Sequence, residues 1–444
     1  MQFLRTYSAL IAFLGSYFFL TVLGNLIYFT PFGDSIGGWS KAGFSIRNFE
    51  FVGSPGYWAL LFLPFVVAPP ITLAARRLFV PVADAIPRVR PSAAIFFALS
   101  AICYAIAAWS LWRADAADLL FQGSTGQQAA SSRFELMDRL GFWPLVLVKA
   151  VMVTLSIYAI VMALRERATF WLAAVVCNVV GMSVILTLLN AKWPLVLFYL
   201  SHLAAIFLFA KRPLLPGAAF AVLALVGYSV SSMILLRAIP VERMIIAPAQ
   251  NVPAMTISPA KETPISAERV QGVATLTVLA PINRMAQPFP YYFDTFTREP
   301  GKCGTILDRV RRISSPCHPS NLIYAELFKD SFSDVGTTPQ AVHVSGYALD
   351  GWFGALLELT IASIILGAFA AIASLRSEIH DTMTVLGALT GYFFSQLPIE
   401  GPIVYDHGLL WSVASLGVLA LLASTSNWLM RARAFISSSR KPAI

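Results

Sequence analysis

The feature that most constrains this fold is a series of apolar stretches, each near the 20 residues that cross the hydrocarbon core of a bilayer. Only 12% of the 444 residues are charged, about half the fraction in an ordinary soluble domain. The sequence therefore predicts an all-α polytopic membrane protein. About ten spans are expected, with approximate limits 7–29, 56–75, 92–112, 143–164, 168–189, 193–210, 216–237, 352–374, 382–398 and 409–430.

Basic residues in the short loops predict the orientation, because Lys and Arg collect on the cytoplasmic side. With the N-terminus inside, fourteen of the 32 basic residues but only four of the 23 acidic residues face the cytoplasm. Both termini are therefore expected to be cytoplasmic. The net charge of +9 follows from topology, so a nucleic-acid partner is not expected.

Three regions follow from this topology. Residues 1–237 hold spans one to seven, residues 238–350 form one large extracytoplasmic loop, and residues 351–444 hold spans eight to ten and a short cytoplasmic tail. The loop begins with a segment rich in Ala, Pro, Ser and Thr, 240–275, and continues with an aromatic-rich part that is expected to be ordered. No apolar run within the loop is long enough to cross the bilayer.

Two cysteines of the loop, Cys303 and Cys317, are separated by thirteen residues in a compartment expected to be oxidising. A disulfide is the expected state. A zinc site would recruit the adjacent His318, but two Cys and one His at this spacing match no common zinc frame. No metal site and no cofactor are predicted.

Polar residues inside the spans point to a cavity, because each is costly in lipid and faces the bundle interior. Lys149 lies about two turns inside span four, and Lys192 occupies the outer turn between spans five and six. With Asn178, His202 and Glu358 they could line a cavity open to the outside. The structural alternative is an ion pair of Lys149 with Glu358, with Lys192 extending its ammonium group to the membrane surface.

The large loop places two arginines, Arg284 and Arg298, among aromatic residues. The guanidinium fork binds diphosphate through two hydrogen bonds and keeps its charge, and aromatic faces stack on sugar rings. A second basic cluster, Arg309, Arg311 and Arg312, is expected to face solvent or anionic headgroups.

A glycine-containing segment then leads into span eight and carries His343 and Asp350 towards the membrane surface. Either side chain is a candidate base for a hydroxyl group. Asp350 is equally well explained as a helix cap.

These features together resemble a known family. The Arg-Leu-Gly-Phe-Trp-Pro start of the helix with Lys149, the Leu-Leu-Asn-Ala-Lys-Trp-Pro turn with Lys192, the aromatic arginine-bearing loop and the segment from His343 to Gly354 resemble O-antigen polymerases, the Wzy-like polymerases of oligosaccharide repeat units. The resemblance covers the architecture broadly and residues 139–365 in detail.

The resemblance implies a metal-independent inverting glycosyltransferase of the bacterial inner membrane. Its substrate would be an undecaprenyl-diphosphate-linked oligosaccharide repeat unit, polymerised at the periplasmic face, and a chain-length regulator would be a further partner. Arg284 and Arg298 would bind the diphosphate, Lys149 or Lys192 would add positive charge, and His343 or Asp350 would act as the base.

Two other functions fit the same architecture. Another lipid-linked-sugar-dependent glycosyltransferase, or an O-antigen ligase, is the first alternative; a polyprenyl-phosphate-sugar-dependent enzyme normally has an acidic pair in the first outer loop, where this chain offers only Asp34 and Glu50. The second alternative is a flippase or exporter component for the same glycans. Motifs of nucleotide-binding loops, serine hydrolases and zinc proteases are absent from the sequence.

Overall fold

The computed structural model describes residues 2–38, 43–86, 90–122, 126–190, 192–237, 283–310, 317–328, 336–375, 377–405 and 408–438. Every regular element within these ranges is a helix, so the all-α expectation is confirmed there. Much of the expected extracytoplasmic loop, 238–282, and the cations Arg311 and Arg312 lie outside the described residues.

Fourteen helices are used below. They are α1 Ser8–Tyr28, α2 Pro55–Asp84, α3 Ala93–Arg113, α4 Gly126–Leu140, α5 Phe142–Glu166, α6 Thr169–Leu188, α7 Lys192–Phe209, α8 Leu214–Arg237, α9 Pro288–Arg298, α10 Ile306–Val310, α11 Pro319–Phe328, α12 Val342–Ile372, α13 Glu378–Phe394 and α14 Leu409–Ser438. Shorter helical turns are Gln2–Thr6, Gly33–Gly38, Ile46–Asn48, Ala116–Gln122 and Gly401–Tyr405.

Nine helices of the described residues are long and apolar enough to cross a membrane, against the ten expected. The difference is the span expected at 382–398, which is the 17-residue helix α13. Most of α13 is buried among the other helices. Gly391 lets its backbone approach α1 closely, because a Cβ at this position would lie 2.0 Å from the carbonyl oxygen of Ala9. Small residues at such contacts are typical of helices packed in membranes.

Charged residues from three helical elements, and Arg90 from the loop before α3, meet at one end of the bundle. Asp381, at the start of α13, is paired with Arg5, and its Oδ2 lies 3.4 Å from Nη1 of Arg165 at the end of α5. The same Arg165 nitrogen lies 3.5 Å from Oε1 of Glu378, and Arg90 pairs with the neighbouring Glu166. All these residues were expected on the cytoplasmic side, so we call this the inner end.

The opposite end, called the outer end, is rich in aromatic contacts. Tyr57 at the start of α2 packs edge to face on Phe289 and Phe293 of α9, with ring centroids 5.2 and 5.4 Å apart. Trp193 at the start of α7 lies 6.1 Å from the ring of Tyr392 near the end of α13. Helix α13 therefore runs from the inner to the outer end in spite of its length.

Helix α12 consists of two segments that fold back on each other. Asp350 and Gly351 have non-helical backbone angles, and Gly351 has a φ of +58°. Residues 342–349 precede this kink and 352–372 follow it, as the expected limit of span eight at 352 indicates. Gly346 and Gly354 touch across the fold, since a Cβ on Gly346 would lie 2.3 Å from the carbonyl oxygen of Gly354. The last part of the expected loop is thus packed into the helix bundle.

Candidate functional site

The segment that carries Arg284 is fixed by buried side-chain amides. Asn283 accepts a hydrogen bond from the hydroxyl of Tyr28 at 2.7 Å and donates to the carbonyl of Ile36 at 2.9 Å. Gln287 donates to the carbonyl of Gly37 at 2.6 Å. Asn283 and Gln287 are almost fully buried, at 1% and 3% exposure. Each such bond stabilises the fold by about 1 kcal/mol net.

Two further amides hold the carbonyls that follow Arg284. Gln340 donates to the carbonyl of Met285 at 2.6 Å, and Asn25 donates to the carbonyl of Ala286 at 3.1 Å. Asn25 is itself oriented by the hydroxyl of Tyr57, which donates to its Oδ1 at 2.6 Å. Arg284 is nevertheless exposed. An exposed cation is therefore presented from a rigid base at the outer end.

Arg284 and Arg133 are near enough for their like charges to interact, and no carboxylate partner is described for either. Among the described residues, neither side chain has an ion pair or a hydrogen bond, and the buried Nε of Arg133 is unsatisfied. Burial lowers the pKa of Arg133, and the nearby charge of Arg284 lowers it further. Two like charges repel unless an anion lies between or beside them. The arrangement is thus suited to a strongly anionic ligand such as a diphosphate.

A small cavity of about 40 Å³ lies in the bundle between α5, α7, α13 and α14. Lys149 lines it from a π-helical turn of α5, Leu147–Met152, a distortion that is frequent at functional sites. Its lining also includes Pro194, Thr390, Phe393, Pro402 and Ser412.

Two of the predicted cations lie at this cavity. Lys149 lines it, and Lys192 lies two residues before the lining residue Pro194. Trp193, between Lys192 and Pro194, is in tilted contact with the ring of Tyr392, which precedes the lining residue Phe393. Arg284 is held at the same end of the bundle by the contacts described above.

Arg298 differs from Arg284 in its partners. Its guanidinium lies 3.0 Å from Asp294 and 3.2 Å from Glu50. Asp294 also accepts the backbone N–H groups of Glu50 and Phe51 at 2.8 and 2.9 Å. Arg298 therefore fastens α9 to the first outer loop, whereas Arg284 has no carboxylate partner among the described residues.

The two predicted bases have structural partners. His343 is fully buried, and its Nε2 lies 3.1 Å from the hydroxyl of Tyr17. Asp350 accepts the backbone N–H of Ile306 at 2.8 Å, so it caps α10 from the kink of α12. Neither residue is part of the cavity lining. Of the two roles foreseen for Asp350, the geometry favours the cap.

The disulfide between Cys303 and Cys317 is formed, with Cα atoms 4.7 Å apart. It closes the loop that carries α10.

Arg309 on α10 was expected in a solvated basic cluster. This expectation is wrong, because Arg309 pairs with Glu400 and lies 3.9 Å from the buried Glu358. Burial lowers the pKa of Arg309, and the charge of Glu358 opposes this shift. The ion pair described for Glu358 is thus with Arg309 and not with Lys149.

The other polar span residues are packed away from the cavity. Asn178 accepts a hydrogen bond from the hydroxyl of Tyr104 at 2.9 Å. His202 is fully buried, with Nε2 3.0 Å from the hydroxyl of Ser156. Neither lines the cavity. In the described ranges, no three His, Cys, Asp or Glu side chains are grouped so that they could hold a metal ion.

Arg133 is the residue that the sequence analysis missed. A signal was present, because residues three and four positions away share a helix face. Arg139 has Glu135 four positions earlier and pairs with it at 2.6 Å. The corresponding neighbours of Arg133 are Ala129, Ala130, Leu136 and Met137. A helical arginine without an acid on its own face is available to a ligand.

Comparisons with known proteins identify no relative: no family model, no curated protein and no solved structure matches this chain.

Proposed function

We propose that the protein is a membrane glycosyltransferase that polymerises undecaprenyl-diphosphate-linked oligosaccharide repeat units at the periplasmic face of a bacterial inner membrane. One observation carries the proposal: Arg284 and Arg133 have no described carboxylate partner at the outer end of a helix bundle in which Lys149 lines a cavity. Their position at the outer end of the helix bundle suits a substrate that is anchored in the bilayer and carries its charge at the surface.

Transfer of a sugar from a diphosphate donor requires cations close to the diphosphate. The acceptor hydroxyl oxygen forms a bond to the anomeric carbon of the donor, the bond from that carbon to the diphosphate oxygen breaks, and the hydroxyl proton passes to the departing diphosphate. Negative charge grows on the departing diphosphate. Fixed cations at a water-poor interface stabilise that charge more strongly than water does. The anchored backbone around Arg284 keeps the cation in place without reorganisation during the reaction.

In this proposal Arg133 takes the diphosphate-binding role that the resemblance would give to Arg298. Lys149 and Lys192 add positive charge at the cavity. His343 and Asp350 become positioning residues, because the first is buried against Tyr17 and the second caps α10.

The proposal is tested in cells that lack the gene and carry it again on a plasmid, as wild type or as Arg284→Ala. Surface glycans are separated by length on a gel. A polymerase predicts a ladder of polymer with the wild type, and single repeats only with the empty plasmid and with Arg284→Ala.

Three other outcomes contradict the proposal. Absence of all repeats from the surface of the deletion strain would favour a flippase. Full-length polymer that remains on the lipid carrier would favour a ligase. An unchanged ladder in the deletion strain would exclude a role for the protein in the synthesis of this glycan.

A further inference from the structure

A second cavity, of about 210 Å³, opens on the surface of the outer end, beside the first outer loop. It is separate in its lining from the cavity at Lys149. We call it the outer groove, and it is lined by Tyr28, Phe29, Thr30, Pro31, Asp34, Ile46, Arg47, Phe49 and Val52.

The outer groove combines exposed polar groups of both charges. Asp34 and Arg47 are exposed, and the Asp34 carboxylate is oriented by Ser45, whose hydroxyl donates to it at 2.7 Å. Arg47 has no side-chain partner among the residues that the structure describes. A carboxylate and a guanidinium each bind two neighbouring hydroxyl groups through two hydrogen bonds. Because the two charges balance, the groove is not suited to a strongly anionic ligand.

Aromatic rings supply the apolar part of the groove. Phe29 is 42% exposed and lies against Trp58 at 4.7 Å between centroids. Phe49 is half-buried and held edge to face by Tyr291 at 4.8 Å. Rings fixed in this way present apolar faces at little entropic cost. Sugars have apolar C–H faces and rims of hydroxyl groups, so their chemistry matches both sets of residues.

The outer groove is connected to the segment that carries Arg284. Tyr28, in the groove wall, donates its hydroxyl hydrogen bond to Asn283, the residue immediately before Arg284. Asn283 also bonds to Ile36 in the turn that follows Asp34. The outer groove and the segment that carries Arg284 are therefore held together by hydrogen bonds through Asn283.

We propose that the outer groove is a carbohydrate-binding subsite, which holds the distal sugars of the lipid-linked repeat unit while its diphosphate lies at Arg284 and Arg133. This inference rests on the proposed function for the identity of the glycan. The groove selects the sugar through Asp34 and Arg47, and the arginine pair binds the diphosphate that all such donors share. The residues that select the sugar are thus different from the residues that bind the diphosphate.

Binding measurements on the purified full chain in lipid nanodiscs test this division. The first probe is the oligosaccharide released by mild acid from the lipid-linked pool of the host cell, followed by saturation-transfer NMR. The second probe is inorganic pyrophosphate, followed by titration calorimetry. The variants are Asp34→Asn, Arg47→Ala and Arg284→Ala. The matched control is Arg139→Ala, an exposed arginine of the outer end that is paired with Glu135 and Asp115.

We expect Asp34→Asn and Arg47→Ala each to weaken oligosaccharide binding at least about tenfold, since each loses one pair of hydrogen bonds, and to leave pyrophosphate binding unchanged. Arg284→Ala should show the reverse pattern, and Arg139→Ala should affect neither probe. Oligosaccharide binding that is unchanged in both groove variants, or absent in the wild type, overturns the subsite. Pyrophosphate binding that survives Arg284→Ala overturns the diphosphate site, while the groove result stands.

Discussion

Arginines at the outer end differ in their partners, and the partners separate structural from functional residues at the scale of single side chains. Arg298, Arg139 and Arg309 are paired with carboxylates. Arg284 and Arg133 have no such partner among the described residues. A guanidinium without a carboxylate partner is available to bind an anion, so these two are the residues to test first.

Replacing Arg284 with Ala should lower polymer synthesis by roughly 100-fold or more, the effect of losing one fixed donor to a developing negative charge. Arg284→Lys should also be strongly impaired, because Lys keeps the charge but loses the fork. Arg298→Ala serves as the control, and should stay within about fivefold of wild type because an exposed ion pair contributes 1 kcal/mol or less. Initial rates with purified lipid-linked repeat units measure all three. Equal losses of activity in Arg284→Ala and Arg298→Ala would favour Arg284 and Arg298 as the diphosphate-binding pair, as the sequence suggested.

Arg133→Ala should reduce the same activity by roughly 10-fold to 100-fold, since it removes the second cation of the pair. The control on the same helix is Arg139→Ala, whose partners are Glu135 and Asp115. Expression and thermal unfolding should be similar for both. A larger loss of activity in Arg139→Ala than in Arg133→Ala would show that α4 matters for the structure and that Arg133 does not bind the substrate.

At the scale of elements, the inner-end ion pairs and the kink of α12 fix how helices are joined. Asp381 is 2% exposed and is shared by Arg5 and Arg165. It therefore ties the start of the chain to α5 and α13. The kink at Gly351 in turn lets residues 342–349 return against 352–372.

Asp381→Asn should destabilise the protein by about 3 kcal/mol, because two arginines lose their buried counter-charge. The comparison is Arg90→Ala, which removes an ion pair whose arginine is 60% exposed and which should cost less than about 1 kcal/mol. Thermal unfolding in detergent, followed by tryptophan fluorescence, measures both. Equal midpoints for the two variants would show that the shared carboxylate does not hold the inner end together.

Gly351→Ala should cost about 1–3 kcal/mol, because a φ of +58° lies in a region that residues with a Cβ avoid. The matched control is Gly417→Ala in α14, where a Cβ would meet nothing within 4 Å and where Ala favours the helix. The same unfolding assay applies. A fully stable Gly351→Ala protein would mean that α12 continues straight through this position.

At the scale of the whole molecule, the expected topology can be checked with reporter fusions. Fusions after Arg212, between α7 and α8, should report the cytoplasm, and fusions after Lys302, between α9 and α10, should report the periplasm. The reason is the concentration of Arg and Lys at the inner end. Signals from the same compartment would contradict both the orientation and the placement of the substrate site.

Features with a local cause could be predicted from the sequence. Apolar length predicted the spans, and the spacing and compartment of Cys303 and Cys317 predicted their bond. The sequence also predicted that Asp350 could cap a helix. It did not predict which helix, because α10, the helix that Asp350 caps, is distant in sequence.

Features that depend on long-range packing could not be predicted. Arg298 has a local partner in Asp294, but its second partner, Glu50, lies 248 residues away, and Glu400 lies 91 residues from Arg309. The burial of His343 depends on Tyr17, 326 residues away. Hydropathy does not encode such contacts between distant residues. The proximity of Arg133 to Arg284 was therefore found only in the structure.

The shortness of α13 has a consequence for the surrounding bilayer. Seventeen helical residues span about 26 Å, less than the roughly 30 Å thickness of the hydrocarbon core. Since α13 nevertheless joins both ends of the bundle, the bilayer around it is expected to be thinner than average, because hydrophobic mismatch of this kind is met by thinning of the lipid. Thr390 and Phe393, near the end of α13, line the cavity at this place. Under the proposed function, a thinner bilayer here brings the headgroup of a lipid-linked substrate closer to the cavity while its tail stays in the membrane.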